Sequence, residues 1–284
     1  MIRFSAVKQL QVFLDAQRSI GKSIGFVPTM GALHEGHLSL IQHAQHLNEL
    51  VVVSIFVNPT QFNDKGDLDA YPRTPHKDID ALVKVGCDVL FMPTVDEVYP
   101  KDLNLELKLD FGNLDKVLEG EFRPGHFKGV AQVVKRLLDI VQPDDLIMGQ
   151  KDFQQWSIIN SMIKQLNLKV KLRMGETVRE NDGLAMSSRN VRLTPENRSK
   201  APLIHQTLSE IKTQIDSKSL DELKQWALSE LDVEGFRLEY LEIIDGITLL
   251  PIQEVEKHEL VVVCIAIWAG DVRLIDNLII KEAK

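Results

Sequence analysis

The sequence predicts an α/β protein: a doubly wound parallel sheet over residues 1–175, followed by a second, smaller α+β C-terminal domain over residues 176–284. Three observations carry this. Short unbroken apolar runs alternate with stretches of helical periodicity through the first part of the chain, as strands buried on both faces and joined by crossover helices require. Residues 26–37 pass from strand to loop to helix, the place where an open parallel sheet binds its ligands. Beyond Thr194-Pro195 the texture changes to helices followed by three strand-like runs, which reads as a meander packed on helices. With 284 residues, 44% of them hydrophobic and 26% charged, the chain is long enough for about two domains with a sizeable core.

Taken in order, Val7, Leu10, Phe13 and Leu14 recur at helical spacing, and residues 23–28 form a short apolar strand. After the loop 29–35 comes a helix of about 12 residues with Leu38, Ile41 and Leu47 on its apolar side. Residues 51–57 are a continuous apolar run, so a first βαβ unit is complete. Residues 75–85 read as a helix, 88–92 as a third buried strand and 126–141 as a helix marked by Val130, Val133, Val134, Leu137 and Leu138. Residues 145–148 make a fourth strand and 153–166 another helix. Right-handed crossovers then build a Rossmann-like sheet. Further on, helices are expected at 195–216 and 220–231, and strands at 236–244, 260–268 and 272–280, with Ala269-Gly270-Asp271 as a turn.

Composition excludes several classes. The longest apolar runs, 51–57 and 260–269, fall well short of the roughly 20 residues of a membrane helix. The N-terminus lacks the apolar stretch and small-residue cleavage site of a secretory signal, so the expected location is cytoplasmic. Net charge of −8 with pI near 5.5 disfavours a nucleic-acid binder that neutralises phosphates over a broad surface. Cys87 and Cys264 stand beside apolar residues and read as buried core thiols, not as a disulfide framework.

The densest chemical signal is Pro28-Thr29-Met30-Gly31-Ala32-Leu33-His34-Glu35-Gly36-His37. Helix N-termini leave N–H groups unpaired and carry partial positive charge, so an anion is expected against the amides just past Leu33. His34 and His37 add donors at the same end, and Gly36 has no side chain to block a ring or phosphate. A zincin needs histidines four apart in H-E-x-x-H, and here they are three apart. His43 and His46 rotate about 240° and 180° away from His37 on a helix, which excludes a four-histidine metal cluster. Neither a G-x-G-x-x-G fingerprint nor a P-loop occurs at this turn, so the nucleotide must be held another way.

Four further blocks have readings of their own. Asn58 and Gln61 follow the second buried strand at the same sheet edge, and uncharged amides suit the hydroxyl and carboxylate groups of a small polar substrate; Asn58-Pro59 is equally good turn chemistry. Gly149-Gln150-Lys151-Asp152 closes the fourth strand and opens a helix, bringing a compact cation for phosphate and a capping carboxylate. Met186-Ser187-Ser188-Arg189 offers two hydroxyls and a guanidinium as a phosphate clamp, or an ordinary solvated loop. Residues 119–128 could form a flap over the cleft; Arg123 and His126 there serve substrate contact or helix packing equally well, and neither is placed in the catalytic set.

Together these residues resemble the pantothenate synthetase family of the H-x-G-H nucleotidyltransferase superfamily. The resemblance runs from residues 28–37 through Phe56-Val57-Asn58-Pro59-Thr60-Gln61-Phe62, Tyr71-Pro72-Arg73-Thr74, Arg123-Pro124-Gly125-His126-Phe127-Lys128-Gly129-Val130, Gly149-Gln150-Lys151-Asp152-Phe153-Gln154-Gln155 and Met186-Ser187-Ser188-Arg189-Asn190. These blocks stand in the family's order and cover nearly the whole chain. One departure is Gln150, where the family has Glu. The resemblance implies ATP-dependent condensation of pantoate with β-alanine, releasing AMP and pyrophosphate through a pantoyl-adenylate. It implies an ATP site from Met30, Gly31, Ala32, Leu33, His34, Glu35, Gly36, His37, Gly149, Gln150, Lys151, Asp152, Val178, Met186, Ser187, Ser188 and Arg189. Gln61, Gln155 and Asn58 would hold substrate, with Gln61 also close to β-alanine. His34, His37, Lys151 and Arg189 would form the catalytic set, with His37 a proton donor.

Attack of the pantoate carboxylate on the α-phosphorus needs little proton transfer, so positioning and fixed positive charge should carry the rate. Mg2+ is expected with ATP, held mainly by substrate and water; Asp64, Asp67, Asp69 and Asp78 are possible partners with no ligand assigned. The resemblance further implies a homodimer, to which residues 51–56 or 111–118 could contribute, and a C-terminal domain that closes over the active site. No nucleic-acid or membrane partner is expected. Two rival readings remain: another H-x-G-H nucleotidyltransferase acting on a phosphorylated acceptor, and a non-catalytic nucleotide-binding module. The amide-rich Asn58, Gln61 and Gln155 argue against the first, and Lys151 kept together with Ser187-Ser188-Arg189 argues against the second.

Overall fold

The computed structural model describes residues 1–62, 65–103 and 106–282. In chain order its elements are β1 (Ile2–Phe4), α1 (Val7–Ser19), β2 (Ile24–Thr29), α2 (Glu35–Leu47), β3 (Leu50–Ile55), α3 (Lys65–Ala70), α4 (Pro75–Lys84), β4 (Val89–Phe91), α5 (Val95–Val98), α6 (Glu119–Phe122), α7 (His126–Val141), β5 (Asp145–Gly149), α8 (Phe153–Gln165) and β6 (Lys171–Gly175). They continue as α9 (Pro195–Lys200), α10 (Leu203–Gln214), α11 (Leu220–Glu230), β7 (Phe236–Asp245), β8 (Val261–Ala269) and β9 (Val272–Lys281). A doubly wound, Rossmann-like parallel sheet and a smaller antiparallel sheet with helices are both present, as the apolar pattern requires.

The first sheet has the order β1-β4-β3-β2-β5-β6, and each neighbouring pair is parallel. From β2 the chain builds outward through β3 and β4, then returns through α7 to place β5 on the other side of β2. The crevice beyond the carboxyl ends of β2 and β5 is therefore the topological switch point, where ligands bind in such sheets. Strand residues alternate between two cores, as their two-residue period dictates. Phe26, Val52, Phe91 and Leu146 face the cluster formed with α1, α7 and α8. Val27, Val53, Leu90 and Ile147 face the cluster formed with α2 and α4. Residues 51–56 lie in an interior strand and its exit and are largely part of this chain's own core.

The second sheet is an antiparallel meander, β7-β8-β9. On one face Leu241, Ile243, Val263, Ile265 and Leu274 pack with α10 and α11. On the other, Ile244, Val262 and Cys264 pack against Leu118 and Phe153 of the first unit. Cys87 and Cys264 are free and buried. Among the described residues no helix is long and apolar enough to cross a membrane.

The structure departs from the sequence reading in a few places. β1 and β6 are extra strands, one at each edge of the large sheet; half-exposed edge strands need no apolar run. The helix expected over 195–216 is two helices, separated at Pro202, which lacks the N–H a continuous helix would use. Leu47, expected on the apolar side of α2, is 41% exposed at its last turn.

Candidate active site

The loop between β2 and α2 takes a conformation that few sequences accept. Gly31 and Ala32 both have positive φ, 84° and 50°, and the second of these is strained for a residue with a Cβ. Asp78, in the first turn of α4 and 2% exposed, holds the strain in place. Its carboxylate accepts the Ala32 N–H at 3.0 Å, the Leu33 N–H at 2.9 Å and the Thr74 hydroxyl at 3.0 Å. The Gly31 N–H is donated to Thr29 Oγ1 at 3.2 Å and the His34 N–H to His37 Nδ1 at 3.3 Å. The amides of residues 31–34 are thus satisfied inside the protein, so of the amides just past Leu33 that of His34 is already engaged. The same bonding removes Asp78 from the possible metal partners, while Asp64 and the side chain of Asp67 lie outside the described residues.

What the loop offers to the crevice is side chains. The His34 and His37 rings stack at 4.0 Å between centroids. Gly36 leaves room for them, since a Cβ there would lie 3.0 Å from the His34 ring, which would have to shift by a few tenths of an ångström. Because His37 Nδ1 accepts a backbone N–H, its proton in the neutral form is on Nε2. His34 Nδ1 is buried and has no hydrogen-bond partner among the described residues. Burial lowers both rings from 6.5: His34 to about 4, with the Lys151 charge adding to the effect, and His37 to about 3, with His34 and Lys151 adding. Burial thus opposes the expected positive charge on the two imidazoles, which are N–H donors in their neutral form before an anion arrives.

A cavity of about 220 Å³ brings together Met30, His34, Gly36, His37, Asn58, Gln61, Gly149, Lys151, Asp152, Gln155, Val178, Met186, Ser187, Ser188 and Arg189. Gly31, Ala32, Leu33, Glu35 and Gln150 do not line it. Lys151 and Asp152 come from the turn between β5 and α8, and Gln155 from the first turn of α8. Lys151 forms no ion pair among the described residues, so its charge is available. A second cavity of about 430 Å³, running towards β9, shares Lys151, Asp152, Ser187 and Arg189 with the first.

Two side chains are engaged elsewhere. Asn58, expected to hold substrate, is 1% exposed. Its NH2 donates to Gln61 Oε1 at 3.2 Å and to Gly129 O at 3.3 Å, while its Oδ1 accepts from Tyr99 OH at 2.9 Å and Thr60 Oγ1 at 3.1 Å. Its polar atoms fix the 59–61 turn and orient Gln61, which is the turn-chemistry reading and not the ligand one. Gln150 points its amide at Asn277 Oδ1, 3.2 Å away in β9, so the departure from Glu alters a contact with the second sheet and not the cavity wall.

The Ser187-Ser188-Arg189 segment is more ordered than a solvated loop. Residues 178–186 form a short hairpin through the Arg179–Ala185 bridge and the Met186 N–H to Val178 O bond of 3.0 Å. Ser188 Oγ donates to Tyr71 OH at 3.4 Å, and the Arg189 guanidinium lies 5.6 Å from the Tyr71 ring centre. Tyr71 lies outside the candidate residues drawn from the sequence, while Asp78 and His126 are marked there only as a possible metal partner and as a substrate or packing contact. His126 Nδ1 donates to Gln61 O at 2.8 Å, and burial, aided by Arg123, lowers its pKa to about 4. An acidic residue in the first turn of a helix is the one available signal for Asp78, and such residues are common.

Comparison with known proteins places the chain in a family. The family model described as pantoate-beta-alanine ligase matches residues 3–279. A pantothenate synthetase from Azobacteroides pseudotrichonymphae genomovar. CFP2 is 47% identical over 274 residues, covering 96% of this chain and 97% of the relative. The crystal structure of the pantoate-beta-alanine ligase (pantothenate synthetase) from Thermus thermophilus superposes with a TM-score of 0.93 at 40% identity, covering 99% of this chain and all of that one. The pantoate-beta-alanine ligase from Francisella tularensis, complexed with beta-gamma ATP and beta-alanine, gives a TM-score of 0.79 at 38% identity over 99% of this chain and 98% of that one. With the family model spanning nearly every residue and the two-sheet architecture shared from end to end, the chain belongs to the pantoate-beta-alanine ligase family.

Proposed function

We propose that this protein condenses pantoate with β-alanine at the expense of ATP, through a pantoyl-adenylate, releasing pyrophosphate and then AMP. One observation carries the reading: a single cavity is lined by residues of two chemical kinds. Gln61, Gln155 and the apolar α7 residues Val130, Val133, Val134 and Leu137 make one set, and His34, His37, Lys151, Ser187, Ser188 and Arg189 the other. A branched hydroxy acid suits the first set and a triphosphate the second, which in this reading are the pantoate wall and the triphosphate wall.

In the first step a pantoate carboxylate oxygen attacks the α-phosphorus and the bond to pyrophosphate breaks. Gln61 and Gln155 orient the nucleophile, and the His37 Nε2–H, Lys151 and the serine hydroxyls donate to the phosphoryl oxygens as their charge grows. The polyphosphate, once bound, opposes the burial that keeps the imidazoles neutral, so His37 can take up a proton there. In the second step the free amine of β-alanine attacks the acyl carbon, the bond to AMP breaks and the amine loses a proton. Magnesium fits this site only as a partner of the triphosphate. Among the described residues no cluster of three His, Cys, Asp or Glu side chains is suited to a metal, and Asp78 is committed to the loop amides.

Met30, Gly36, Gly149, Asp152, Val178 and Met186 complete the nucleotide walls in this reading. We divide the chain into domains at 175/176, because the large sheet ends at Gly175 and the smaller unit has its own core. A cytoplasmic homodimer is the assembly we infer from family resemblance; light scattering on the purified chain reads the dimer directly. The deciding assay supplies ATP, pantoate and β-alanine and looks for AMP and pantothenate in equal amounts. Nucleotide retained in the product would favour transfer to another acceptor, and binding without turnover would favour a non-catalytic module.

A further inference from the structure

Lys151 and the Ser187-Ser188-Arg189 segment belong to separate excursions from the large sheet, one beyond β5 and one beyond β6. The pairing of Gly149 with Gly175 fixes where the two excursions begin, but Ser187 lies twelve residues beyond Gly175. Both are also tied to adjacent residues of β9, in the other sheet. Asp276 is 4% exposed and Asn277 is 3% exposed, and neither lines the cavity that holds the two histidines. Consecutive strand residues project to opposite sides, so one position addresses the hairpin and the next the turn.

Asp276 receives Arg179 in a bidentate pair, Nη1 to Oδ2 at 2.6 Å and Nη2 to Oδ1 at 3.0 Å. The same guanidinium donates to Gly183 O at 3.2 Å and Asn277 O at 3.4 Å. The hairpin leading into Met186 is therefore held to β9 through Arg179, whose guanidinium also ties the hairpin's own turn at Gly183. Asn277 Nδ2 donates to Gln150 O at 3.0 Å and to Lys151 O at 2.8 Å, and its Oδ1 accepts from Gln150 Nε2 at 3.2 Å. The carbonyls it holds flank the Lys151 side chain. Buried polar groups that are fully satisfied in this way rigidify what they join.

We propose that Asp276 and Asn277 are positioning residues for the adenylation step, setting the spacing between Lys151 and the Ser187-Ser188-Arg189 segment. The inference rests on the ligase reading and deepens it. Both tethered segments are on the triphosphate wall. Gln61 and His126 are anchored separately, through Asn58 and the 59–61 turn. Loosening the tether should therefore slow attack on the α-phosphorus more than aminolysis of an adenylate already formed.

The test uses the full-length protein. Asn277→Asp keeps the shape but turns a carboxylate towards two carbonyl oxygens; Asp276→Asn keeps the shape and removes the charge facing Arg179. Adenylation is read by pantoate-dependent ATP–pyrophosphate exchange, and the second step by aminolysis of supplied pantoyl-adenylate. Misplacement by about an ångström costs on the order of 100-fold, so that loss in exchange is expected, with aminolysis within about threefold of the parent enzyme. Equal losses in both steps, or no loss in exchange, would overturn the proposal. If Asn277→Asp fails to fold, Asn277→Ser, which retains one donor, and Asp276→Asn decide by the same ratio of the two rates. A parent enzyme with neither activity would reject the ligase reading itself, and parent activity with unselective variants would reject only the tether.

Discussion

At the scale of single residues, the site works through groups whose charge the fold decides. Lys151 has no partner carboxylate among the described residues, so replacing it by Ala removes an oxyanion donor without exposing a buried charge. We expect adenylation to fall about 10²- to 10³-fold, read by pyrophosphate release, with an unchanged circular dichroism spectrum; near-normal release would remove Lys151 from the mechanism. The two histidines give a pH signature. Burial lowers His34 to about 4 and His37 to about 3 from 6.5, so below pH 6.5 the unfolded chain binds protons that the native site refuses. Their contribution is complete above 6.5 and shrinks as pH falls from there towards 4. Unfolding free energies measured between pH 7 and 4.5 should fall less steeply in a His34→Gln/His37→Gln variant than in the parent, and identical slopes would mean that both rings are already charged. Residue types and their spacing are legible in the chain itself. That His37 accepts a backbone N–H, or that Asn58 is consumed by its neighbours, is not, because both depend on how the folded backbone brings these groups together.

Elements set where those residues stand, and here the sequence is legible wherever burial imposes a strict period. α7 has the ends its sequence predicts, since its apolar stripe is continuous and positive-φ residues, Gly125 and Gln142, bracket it. β1 and β6 leave no such trace, because edge strands carry no strict apolar pattern. Asp78 has the chemistry of a metal partner, yet its role is to bind α4 to the β2–α2 loop. Asp78→Ala should leave the Ala32 and Leu33 amides unsatisfied, at about 1–3 kcal/mol each, and release the strained Ala32. Urea unfolding should show a loss of about 2–4 kcal/mol, together with a raised KM for ATP; loss of stability with unchanged KM would make Asp78 a scaffold residue only. A second contact is equally specific. α7 approaches the 59–61 turn so closely that a Cβ on Gly129 would lie 2.4 Å from Thr60 O. Gly129→Ala should therefore displace Gln61 and raise the KM for pantoate more than that for ATP, and equal changes in both constants would contradict this coupling.

For the molecule as a whole, the two-part division is visible as a change of texture near residue 195, but the contacts that join the parts are not, because they pair residues more than a hundred positions apart. The most extensive is ionic. Arg273 of β9 donates to Glu119 of α6 through Nη1 and Nη2, at 2.7 and 2.8 Å, and its Nε donates to Glu239 at 2.7 Å. Tyr240 OH adds a bond to Glu119 of 2.8 Å. Burial alone would push the Glu119 carboxyl up, yet hydrogen bonding and charge from Arg273, with Tyr240 and Arg123, hold it below its ordinary value of 4.5. Arg273→Met keeps much of the side-chain bulk but leaves the buried Glu119 with only the more distant Arg123, 3.7 Å away, and takes the Arg273 cation from the partly buried Glu239. Breaking such a pair from one side costs about 3–5 kcal/mol. The sign with pH follows from the depressed carboxyl: the stabilisation is complete above about 4.5 and is lost as pH falls through the folded value. The stability gap between parent and variant should therefore be widest near pH 7 and narrow in acid, read by urea unfolding at both ends. A gap that stays constant with pH would show that the two sheets are joined by packing around Ile244, Val262 and Phe153, with the Arg273 charge contributing little.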